Sequence, residues 1–474
     1  MWYNRGIEIR LDDIASFRSE FENDTFARTL QNAIVENGVD AVALDAKMAN
    51  SAMQSRSAVQ VRLDNWGATS QKQSGRCWLF SSLNLIRFNM SKNLEYTSSA
   101  ERQNGGKSFE LSQNYAMFWD KFERANYFLQ SVLSLHRSSL FFEPDGITLT
   151  RESSFLLQSL LGDGGQWNMA VNVYKKYGVV PKDAMPETVS SSSTLRMNTI
   201  LRTLLRKRAS EVVKEGVDAK NIVHQTLRDV YRILALHLGT PPSQFDFQWR
   251  KDSGGFAKVS KITGVEFMKQ FLTLNLEDYV CLVDDPREHH RKNTSISIEH
   301  LGNVLEGDKV LYLNSDTQTM KRLTVDALQG NGQLEAEPVW MGCDVKPQML
   351  RSLGLWGSEL FRYSDVHGVD LSSTKGQRVS FQDSAMTHAM LFTGVDLDES
   401  GIPWRWRVEN SWGEDSGDKG FYTMLDSWFD EYMFEVAVHK SLLTPELRAA
   451  YEKYLSSGEF DYILPAWDPM GALA

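Results

Sequence analysis

The feature that most constrains the fold of this chain is one cysteine that follows a turn. Cys77 comes after the turn-forming run at 71–76 and begins an apolar segment that we predict to be a helix. The start of a helix presents unpaired N–H groups and the positive end of the helix dipole, and both favour a thiolate over a thiol. The sequence therefore predicts a nucleophile at a helix start.

Two later residues supply what such a thiol needs. His388 is the candidate base, and Asn410 has an amide oxygen that can accept the second ring N–H of the imidazole and so orient it. We expect the thiolate and the imidazolium to form an ion pair. Gln71 would add a side-chain N–H that stabilises, with the backbone N–H of Cys77, the oxyanion formed when sulfur attacks a carbonyl. By residue type alone, Gln73 is an equal candidate.

The chain order Cys, His, Asn, with a glutamine six residues before the cysteine and a tryptophan two after the asparagine, resembles the papain-like cysteine peptidases. Gly75, Cys77 and Trp78 fit the local pattern of that family, whereas Ser74 and Arg76 replace an upstream cysteine and a small residue. In compact members the histidine and asparagine follow about 130–150 residues after the cysteine. Here they follow much later, which indicates a large branch of the family with inserted residues.

Further motifs resemble the bleomycin hydrolase and aminopeptidase C group. They are Ser-Gly-Arg-Cys-Trp at 74–78, Asp-Gly-Gly-Gln-Trp at 163–167, Met-Thr-His-Ala-Met at 386–390 and the tail at 467–474. The resemblance implies an α+β, papain-like fold of two lobes, one helical and one an antiparallel β-barrel-like lobe, with a large helical insertion and an extended C-terminal arm. It also implies peptide substrates, no metal or organic cofactor, and a homo-hexamer whose active sites face an internal channel.

The same resemblance assigns substrate-binding residues. A Gly-Gly segment at this place offers backbone hydrogen bonds to an extended peptide, which nominates Asp163, Gly164 and Gly165; a plain loop is the alternative. The arm is expected to enter the cleft, where the carboxylate of Ala474 would block the non-primed side and pair with a free α-ammonium. An arm packed on the surface or on a neighbouring subunit is the alternative.

The family pattern also separates similar residues from one another. It favours Gln71 over Gln73 because of the offset of six from the nucleophile, and it gives Trp412 the role of covering the His–Asn contact. Cys281 and Cys343 lie in apolar runs and are predicted to be buried hydrophobic residues, as most lone cysteines are.

The pattern of residues predicts five segments. They are an N-terminal helical wrap at 1–60, a helical lobe with the catalytic cysteine at 61–190, a helical insertion at 191–255, a β lobe with the catalytic histidine and asparagine at 256–455, and the C-terminal arm at 456–474. The insertion is expected to project from the body and to contribute a subunit contact. The active site is expected in the cleft between the helical and β lobes.

Composition favours a cytoplasmic enzyme. Three cysteines in 474 residues cannot build a disulfide framework, the N-terminus lacks the apolar core of a secretory signal, and no apolar run is long enough to span a membrane. A net charge of −10 disfavours nucleic acid as a partner, and the basic stretch at 202–214 is predicted to be a solvated or subunit-facing surface. The spacing of His289, His290 and His300 matches no known metal site.

The leading hypothesis is a cysteine aminopeptidase that cleaves single residues from peptides, with broad specificity, through an acyl-thioester on Cys77. An endopeptidase on the same scaffold is the nearest alternative. A non-catalytic binding or scaffold protein is another, although the presence of Gln71, Cys77, His388 and Asn410 together argues against it.

Overall fold

Helices dominate the first half of the chain and strands the second. The structure is a computed structural model that describes residues 8–64, 66–97, 100–101, 104, 106, 108–332 and 334–473. Its helices are α1 (Leu11–Asn23), α2 (Thr25–Asn37), α3 (Val39–Ala43), α4 (Ala46–Met53), α5 (Cys77–Leu94), α6 (Gln113–Arg137), α7 (Arg151–Gln158), α8 (Trp167–Tyr177), α9 (Val189–Ser192), α10 (Leu195–Val212), α11 (Ala219–Leu238), α12 (Gly264–Phe271), α13 (Thr317–Gln329), α14 (Tyr363–His367), α15 (Lys375–Ser380), α16 (Asp426–Tyr432) and α17 (Pro445–Ser457). Its strands are β1 (Val61–Arg62), β2 (Phe245–Arg250), β3 (Phe256–Ile262), β4 (Tyr279–Val283), β5 (Thr294–Ile298), β6 (Tyr312–Asn314), β7 (Val339–Cys343), β8 (Met349–Leu350), β9 (Leu355–Trp356), β10 (His388–Leu397), β11 (Pro403–Glu409), β12 (Phe421–Leu425), β13 (Met433–His439) and β14 (Tyr462–Leu464). The expected α+β class is confirmed.

Helix α5 is the centre of the helical lobe. It begins at Cys77, as predicted. It is buried on nearly every side because its own apolar residues are spread around the helix and do not form a single stripe. It packs against α6, α8 and the strand β10. Although α5 is so apolar, neither it nor any other helix in the described part of the chain is long and apolar enough to cross a membrane.

The large sheet is mixed and lies between two layers. Twelve strands join in the order β14-β5-β6-β4-β13-β7-β10-β11-β12-β9-β8, with β1 added to β10. Most neighbours are antiparallel, and the pairs β4–β6, β5–β14 and β9–β12 are parallel. Strand β10 is buried from its first residue to its ninth, because α5 covers one face and α13 the other. The cysteine at the start of α5 therefore faces the sheet.

The helical insertion packs along the body, so the expectation that it projects is wrong. Leu205 of α10 and Val230 of α11 are fully buried, and the ring of Tyr231 packs edge-to-face on Phe118 of α6 at 5.3 Å between centroids. An apolar stripe on each of two helices needs a partner surface, and α6 provides it.

The end of the predicted insertion is a β-hairpin rather than a helix. Phe245, Phe247 and Trp249 recur at every second residue, which is the period of a strand, and β2 pairs with β3. The five segment boundaries themselves stay predictions.

The basic stretch at 202–214 is engaged within the chain. Arg202 donates from Nε to the carbonyl of Leu160 at 2.8 Å, and Arg206 donates from Nη2 to that of Leu157 at 2.9 Å. Arg208 pairs with acidic side chains on α10 and α11. These arginines therefore donate to backbone carbonyls and pair with carboxylates of the chain itself.

The N-terminal helices only partly wrap the body. Neither α1 nor α2 has a buried residue, and Leu11, Phe17 and Phe26 are 83%, 64% and 69% exposed. Contact with the body begins at α3, where Ala43 is buried, and continues in α4, where Ala49 and Ala52 are buried beside β9. An apolar face on α1 and α2 is thus left uncovered in the single chain.

Candidate active site

The turn before α5 fixes the position of Cys77. Gly75 donates its backbone N–H to Oδ2 of Asp163 at 3.2 Å, and a Cβ on Gly75 would lie 3.0 Å from the Cβ of Asp163. A side chain here would need Asp163 to shift by a few tenths of an ångström, so the close approach favours glycine. The buried guanidinium of Arg76 donates to both carboxylate oxygens of Glu187, at 3.0 and 2.8 Å. Two distant parts of the chain therefore hold the cysteine at the first residue of its helix.

His388 and Asn410 meet because β10 and β11 are antiparallel neighbours. Leu391 pairs with Glu409, so the start of β10 lies beside the end of β11. Nε2 of His388 is 2.9 Å from Oδ1 of Asn410, and the same Oδ1 accepts the backbone N–H of Ser411 at 2.8 Å. That backbone donor identifies the atom as the amide oxygen, so Nε2 carries the ring proton. Nδ1 is then the unprotonated nitrogen that can accept a proton.

Trp412 covers one side of this hydrogen bond. Its ring centroid is 5.0 Å from that of His388, and the guanidinium of Arg351 lies 4.9 Å from the centroid of the indole. An indole beside the ring keeps water away and strengthens the hydrogen bond of the imidazole. This is the position that the resemblance implies for Trp412.

The thiol lies beside the strand that carries the histidine. Because α5 packs on β10, the backbone N–H of Ala389, next to His388, interacts with the sulfur of Cys77 together with the N–H groups of Trp78 and Cys77 itself. Cys77 is 2% exposed and His388 4% exposed. The two side chains belong to one buried junction between the lobes.

Burial favours the neutral forms of both groups. It raises the pKa of Cys77 to about 11, against the opposite effect of the three N–H groups, and it lowers the pKa of His388 to about 4, against the effect of the bond to Asn410. Lost hydration thus acts against an ion pair, whereas the N–H groups around the sulfur and the bond to Asn410 act in its favour, and the ion pair stays a prediction. A neutral imidazole with a free Nδ1 is nevertheless the form that a general base needs.

Gln71 lies beside the His–Asn half of the site, whereas Gln73 is exposed. The hydroxyl of Ser411 donates to Oε1 of Gln71, and the backbone N–H of Gln71 donates to the carbonyl of Ser411 at 2.8 Å. One N–H of the side-chain amide donates to the carbonyl of Ser74. With its oxygen held in this way, the amide keeps its second N–H as an available donor.

Asp163 holds the turn and has no free position for substrate. Its carboxylate accepts from Nζ of Lys121 at 2.6 Å, from Nδ2 of Asn198 at 2.7 Å, from Thr194 and from the N–H of Gly75. Burial alone would raise the pKa of this carboxyl, but the Lys121 ammonium and the side-chain donors hold the pKa well below its usual range. The predicted contact of Asp163 with substrate is therefore replaced by a structural role.

Gly165 allows the glycine segment to approach the catalytic helix. A Cβ on Gly165 would lie 2.5 Å from the ring of Trp78, whose Nε1 donates to the carbonyl of Asp163 at 2.7 Å. The carbonyl of Gly164 accepts from Nη2 of Arg124 at 2.6 Å. The N–H and C=O of Gly165 make no hydrogen bond to any other described residue. They are the main-chain groups that an extended peptide needs.

The C-terminal arm lies against this glycine segment. Gln166 donates from Nε2 to the carbonyl of Ala472 at 2.7 Å, and a Cβ on Gly162 would lie 3.9 Å from Cδ1 of Leu473. A cavity of about 300 Å³ remains between the arm and helices α6 and α7. The predicted site residue Ala474 lies outside the described residues.

Several residues of this site were not predicted. Lys121 and Arg124 bind the glycine segment from α6, which is far from that segment in sequence. No motif or spacing in the chain indicates these contacts. Gln166 and Ser411 lie within motifs that are recognisable in the sequence. A search of those motifs for hydrogen-bond partners of the arm and of Gln71 would have found them.

The remaining candidate residues are engaged elsewhere. Cys281 and Cys343 are buried and free, as predicted. Nδ1 of His290 is 2.6 Å from the carboxylate of Asp285, and His300 is paired with a glutamate of α7. In the part of the chain that the structure describes, no group of three histidine, cysteine or acidic residues could hold a metal ion.

Comparison with known proteins agrees with this geometry. The model of the Peptidase C1-like family matches residues 8–471. Aminopeptidase C of Listeria innocua serovar 6a is 36% identical over 98% of this chain and 99% of that relative, and human bleomycin hydrolase is 38% identical over 86% of each chain. The crystal structure of PepW from Lactobacillus rhamnosis HN001 superposes with a TM-score of 0.89 at 36% identity and covers 98% of this chain and 99% of that one. This chain therefore belongs to the Peptidase C1-like family and, within it, to the bleomycin hydrolase and aminopeptidase C group of papain-like cysteine aminopeptidases.

Proposed function

We propose that this enzyme releases single residues from the free N-termini of peptides, with broad tolerance for their side chains. The observation that carries the proposal is the arm, whose Ala472 is bonded to Gln166 beside the glycine segment. A peptide bound along that segment would meet the arm on the N-terminal, non-primed side of the scissile bond. The arm therefore favours substrates with few residues on the N-terminal side of that bond.

The proposed reaction uses the four predicted catalytic residues. Sulfur of Cys77 attacks the carbonyl of the substrate while Nδ1 of His388 takes the thiol proton, and Asn410 keeps the ring in place by accepting from Nε2. The oxyanion accepts from the backbone N–H of Cys77 and from the second amide N–H of Gln71. The imidazolium returns its proton to the leaving amine as the C–N bond breaks. Water then hydrolyses the acyl-thioester, with the imidazole as its base.

Broad specificity follows from main-chain recognition. The free N–H and C=O of Gly165 would bind the backbone of the substrate, which every peptide has, and glycine brings no side chain that would select among residues. A neighbouring carboxylate, Asp163, is already occupied and would not select basic residues.

The test compares free and N-acetylated aminoacyl fluorogenic amides. We expect the free forms to be cleaved, the acetylated forms to be poor substrates, and Cys77→Ala to have no turnover and to lose one equivalent of labelling by a thiol-alkylating reagent. Turnover that survives in Cys77→Ala would remove the nucleophile from the proposal. Equal cleavage of free and acetylated forms by the wild-type enzyme would instead indicate an endopeptidase.

We also propose a homo-hexamer in a reducing, cytoplasmic setting. The uncovered apolar faces of α1 and α2 support assembly, because apolar patches of this kind mark interaction sites. The free state of Cys77, Cys281 and Cys343 suits a reducing compartment. Sedimentation analysis of the full chain tests the assembly, and a monomer at all concentrations would contradict it.

A further inference from the structure

The arm reaches the active site from the far edge of the sheet. Strand β14 pairs with β5 in parallel, and the backbone N–H of Glu299 donates to the carbonyl of Leu464 at 2.9 Å. Beyond Leu464 the arm leaves the sheet. Over residues 465–473 Ala466 and Met470 are buried, and the guanidinium of Arg151 lies 4.2 Å from the ring centroid of Trp467. Polar contacts add directional constraints to this packing.

One of these contacts is a buried, doubly bridged arginine. Arg287 donates from Nη1 and Nη2 to the two carboxylate oxygens of Asp468, both at 2.8 Å. The same guanidinium donates from Nε and Nη2 to Asp285 at 2.9 and 2.7 Å. The side chains of Arg287 and Asp468 are each 9% exposed, and that of Asp285 is fully buried. A planar guanidinium that binds two carboxylates fixes both the distance between the groups and their relative orientation. A lysine ammonium is a point charge and does not do this.

The body side of this contact is rigid. Asp285 follows β4 and accepts from the ring of His290 at 2.6 Å, its backbone N–H donates to Oδ1 of Asn314 at 3.1 Å, and its carbonyl accepts from Nζ of Lys292 at 2.8 Å. Arg287 therefore ties the arm to a segment whose position is set by the sheet.

The arm side of the contact sets a direction. Besides binding Arg287, Oδ1 of Asp468 accepts the backbone N–H of Met470 at 3.0 Å and so begins the 3₁₀ turn Pro469–Gly471. Ala472, the residue that Gln166 binds, follows this turn directly. A change at Asp468 is thus passed to the glycine segment through only a few residues.

We propose that Arg287 and Asp468 form a latch that positions the arm and thereby determines the preference of the enzyme for free N-termini. The inference rests on the proposed function and adds the residues that enforce it. Both latch residues are positioning residues, because neither touches the reacting atoms. Without the latch the arm keeps its strand β14 but moves away from Gln166, and peptides with blocked or extended N-termini gain room to bind.

The experiment measures the ratio of kcat/KM for N-acetylated and free aminoacyl amides in the full-length enzyme. The variants are Arg287→Met, which removes the guanidinium, Arg287→Lys, which keeps the charge without the fork, and Asp468→Asn, which keeps the oxygen that begins the turn. Arg405→Met is the matched control, because Arg405 is also a buried arginine, 5% exposed, and paired with an aspartate, Asp396, yet its other hydrogen bonds are to carbonyls of residues 52, 54 and 55 and not to the arm. A fifth variant lacks all residues after Leu464.

Loss of one partner of a buried ion pair is disruptive, so Arg287→Met and Asp468→Asn should raise the ratio at least about tenfold. Arg287→Lys should give an intermediate ratio. The kcat for free substrates should change less than about threefold, because the catalytic groups are untouched. Arg405→Met should leave the ratio at the wild-type value.

The outcomes separate the latch from the proposed function. If the deletion raises the ratio and Arg287→Met and Asp468→Asn do not, the latch is refuted and the role of the arm stands. If none of the three changes the ratio, the arm does not limit access, and the proposed function falls together with the latch. If the ratio rises in Arg405→Met as much as in Arg287→Met, the effect is one of general destabilisation and the inference is overturned. Should Arg287→Met fail to fold, Asp468→Asn decides by the same criteria.

Discussion

Replacement of Gly165 by alanine should damage both stability and catalysis, because the added carbon meets an indole that cannot move freely. The Cβ would lie 2.5, 2.6 and 2.7 Å from three ring atoms of Trp78. Trp78 is fully buried, its Nε1 is bonded to the carbonyl of Asp163, and its carbonyl accepts from Nε1 of Trp340 at 3.3 Å. The ring is therefore held on several sides.

The expected size of the effect follows from this overlap. Ordinary contact begins at 3.4 Å, so the ring of Trp78 has to recede by roughly 1 Å. Overpacking of this kind costs about 1–3 kcal/mol. For 474 residues the entropy of unfolding is about 1 kcal/mol/K, so the melting temperature should fall by about 1–3 °C. Trp78 follows Cys77 directly, and a misplacement of about 1 Å at a reacting group costs up to about a hundredfold, so kcat should fall ten- to a hundredfold.

Differential scanning calorimetry and steady-state kinetics on a free aminoacyl amide measure the two effects. Gly162→Ala is the matched control, because its Cβ would meet Leu473 only at 3.9 Å, and both quantities should stay at the wild-type values. A Gly165→Ala enzyme with wild-type kcat and melting temperature would show that Trp78 yields without cost. The argument from close approach would then be wrong.

Other substitutions test separate parts of the site. Ser411→Ala removes the hydroxyl that holds Oε1 of Gln71, so steady-state kinetics should show kcat lower by about tenfold at an unchanged KM, and an unchanged kcat would contradict the role of Gln71. Asp163→Asn leaves the buried ammonium of Lys121 without its anion and should cost about 3–5 kcal/mol in urea unfolding, whereas a loss below about 1 kcal/mol would refute the importance of this pair. Burial raises the pKa of Glu435 from 4.5 to about 8. This carboxyl therefore ionises at a lower pH in the unfolded chain than in the folded one, so the stability of the folded protein falls as the pH rises from about 4.5 to about 8. Glu435→Gln removes this loss of stability, so the melting temperature of the variant minus that of the wild type should be greater at pH 8 than at pH 5. An equal difference at the two pH values would exclude the titration of Glu435.

Local signals in the sequence were sufficient for much of the fold. The turn at 71–76 and the apolar run after it located the start of α5 at Cys77, because glycine and a change in hydrophobicity act on neighbouring residues. Alternation along 404–410 identified β11, and the run from His388 identified β10. Once these two strands are neighbours, their register brings His388 and Asn410 together.

Contacts between distant residues could not be read in this way. Asp163 looked available for substrate because nothing near it in sequence is its partner; Lys121 and Asn198 reach it from other helices. The effect of burial on the pKa values of Cys77 and His388 could not be read from the sequence either, because burial is a property of the assembled lobes, whereas the helix start is a property of the segment. The packed position of α10 and α11 depended on the surface of α6, which no pattern within the two helices describes.

Strand β14 has a consequence for how the enzyme can be shortened. It is the edge strand of the sheet beside β5, it is only three residues long, and Pro465 follows it. The open edge of the sheet is therefore a short strand with few backbone groups that a strand of a second chain could pair with. If a truncation removed Tyr462–Leu464, the hydrogen-bonding groups of β5 would be uncovered and aggregation through strand addition would be expected. The segment that we propose restricts substrates thus begins with a strand that protects the sheet edge against self-association, and a truncation after Leu464 would separate the two roles.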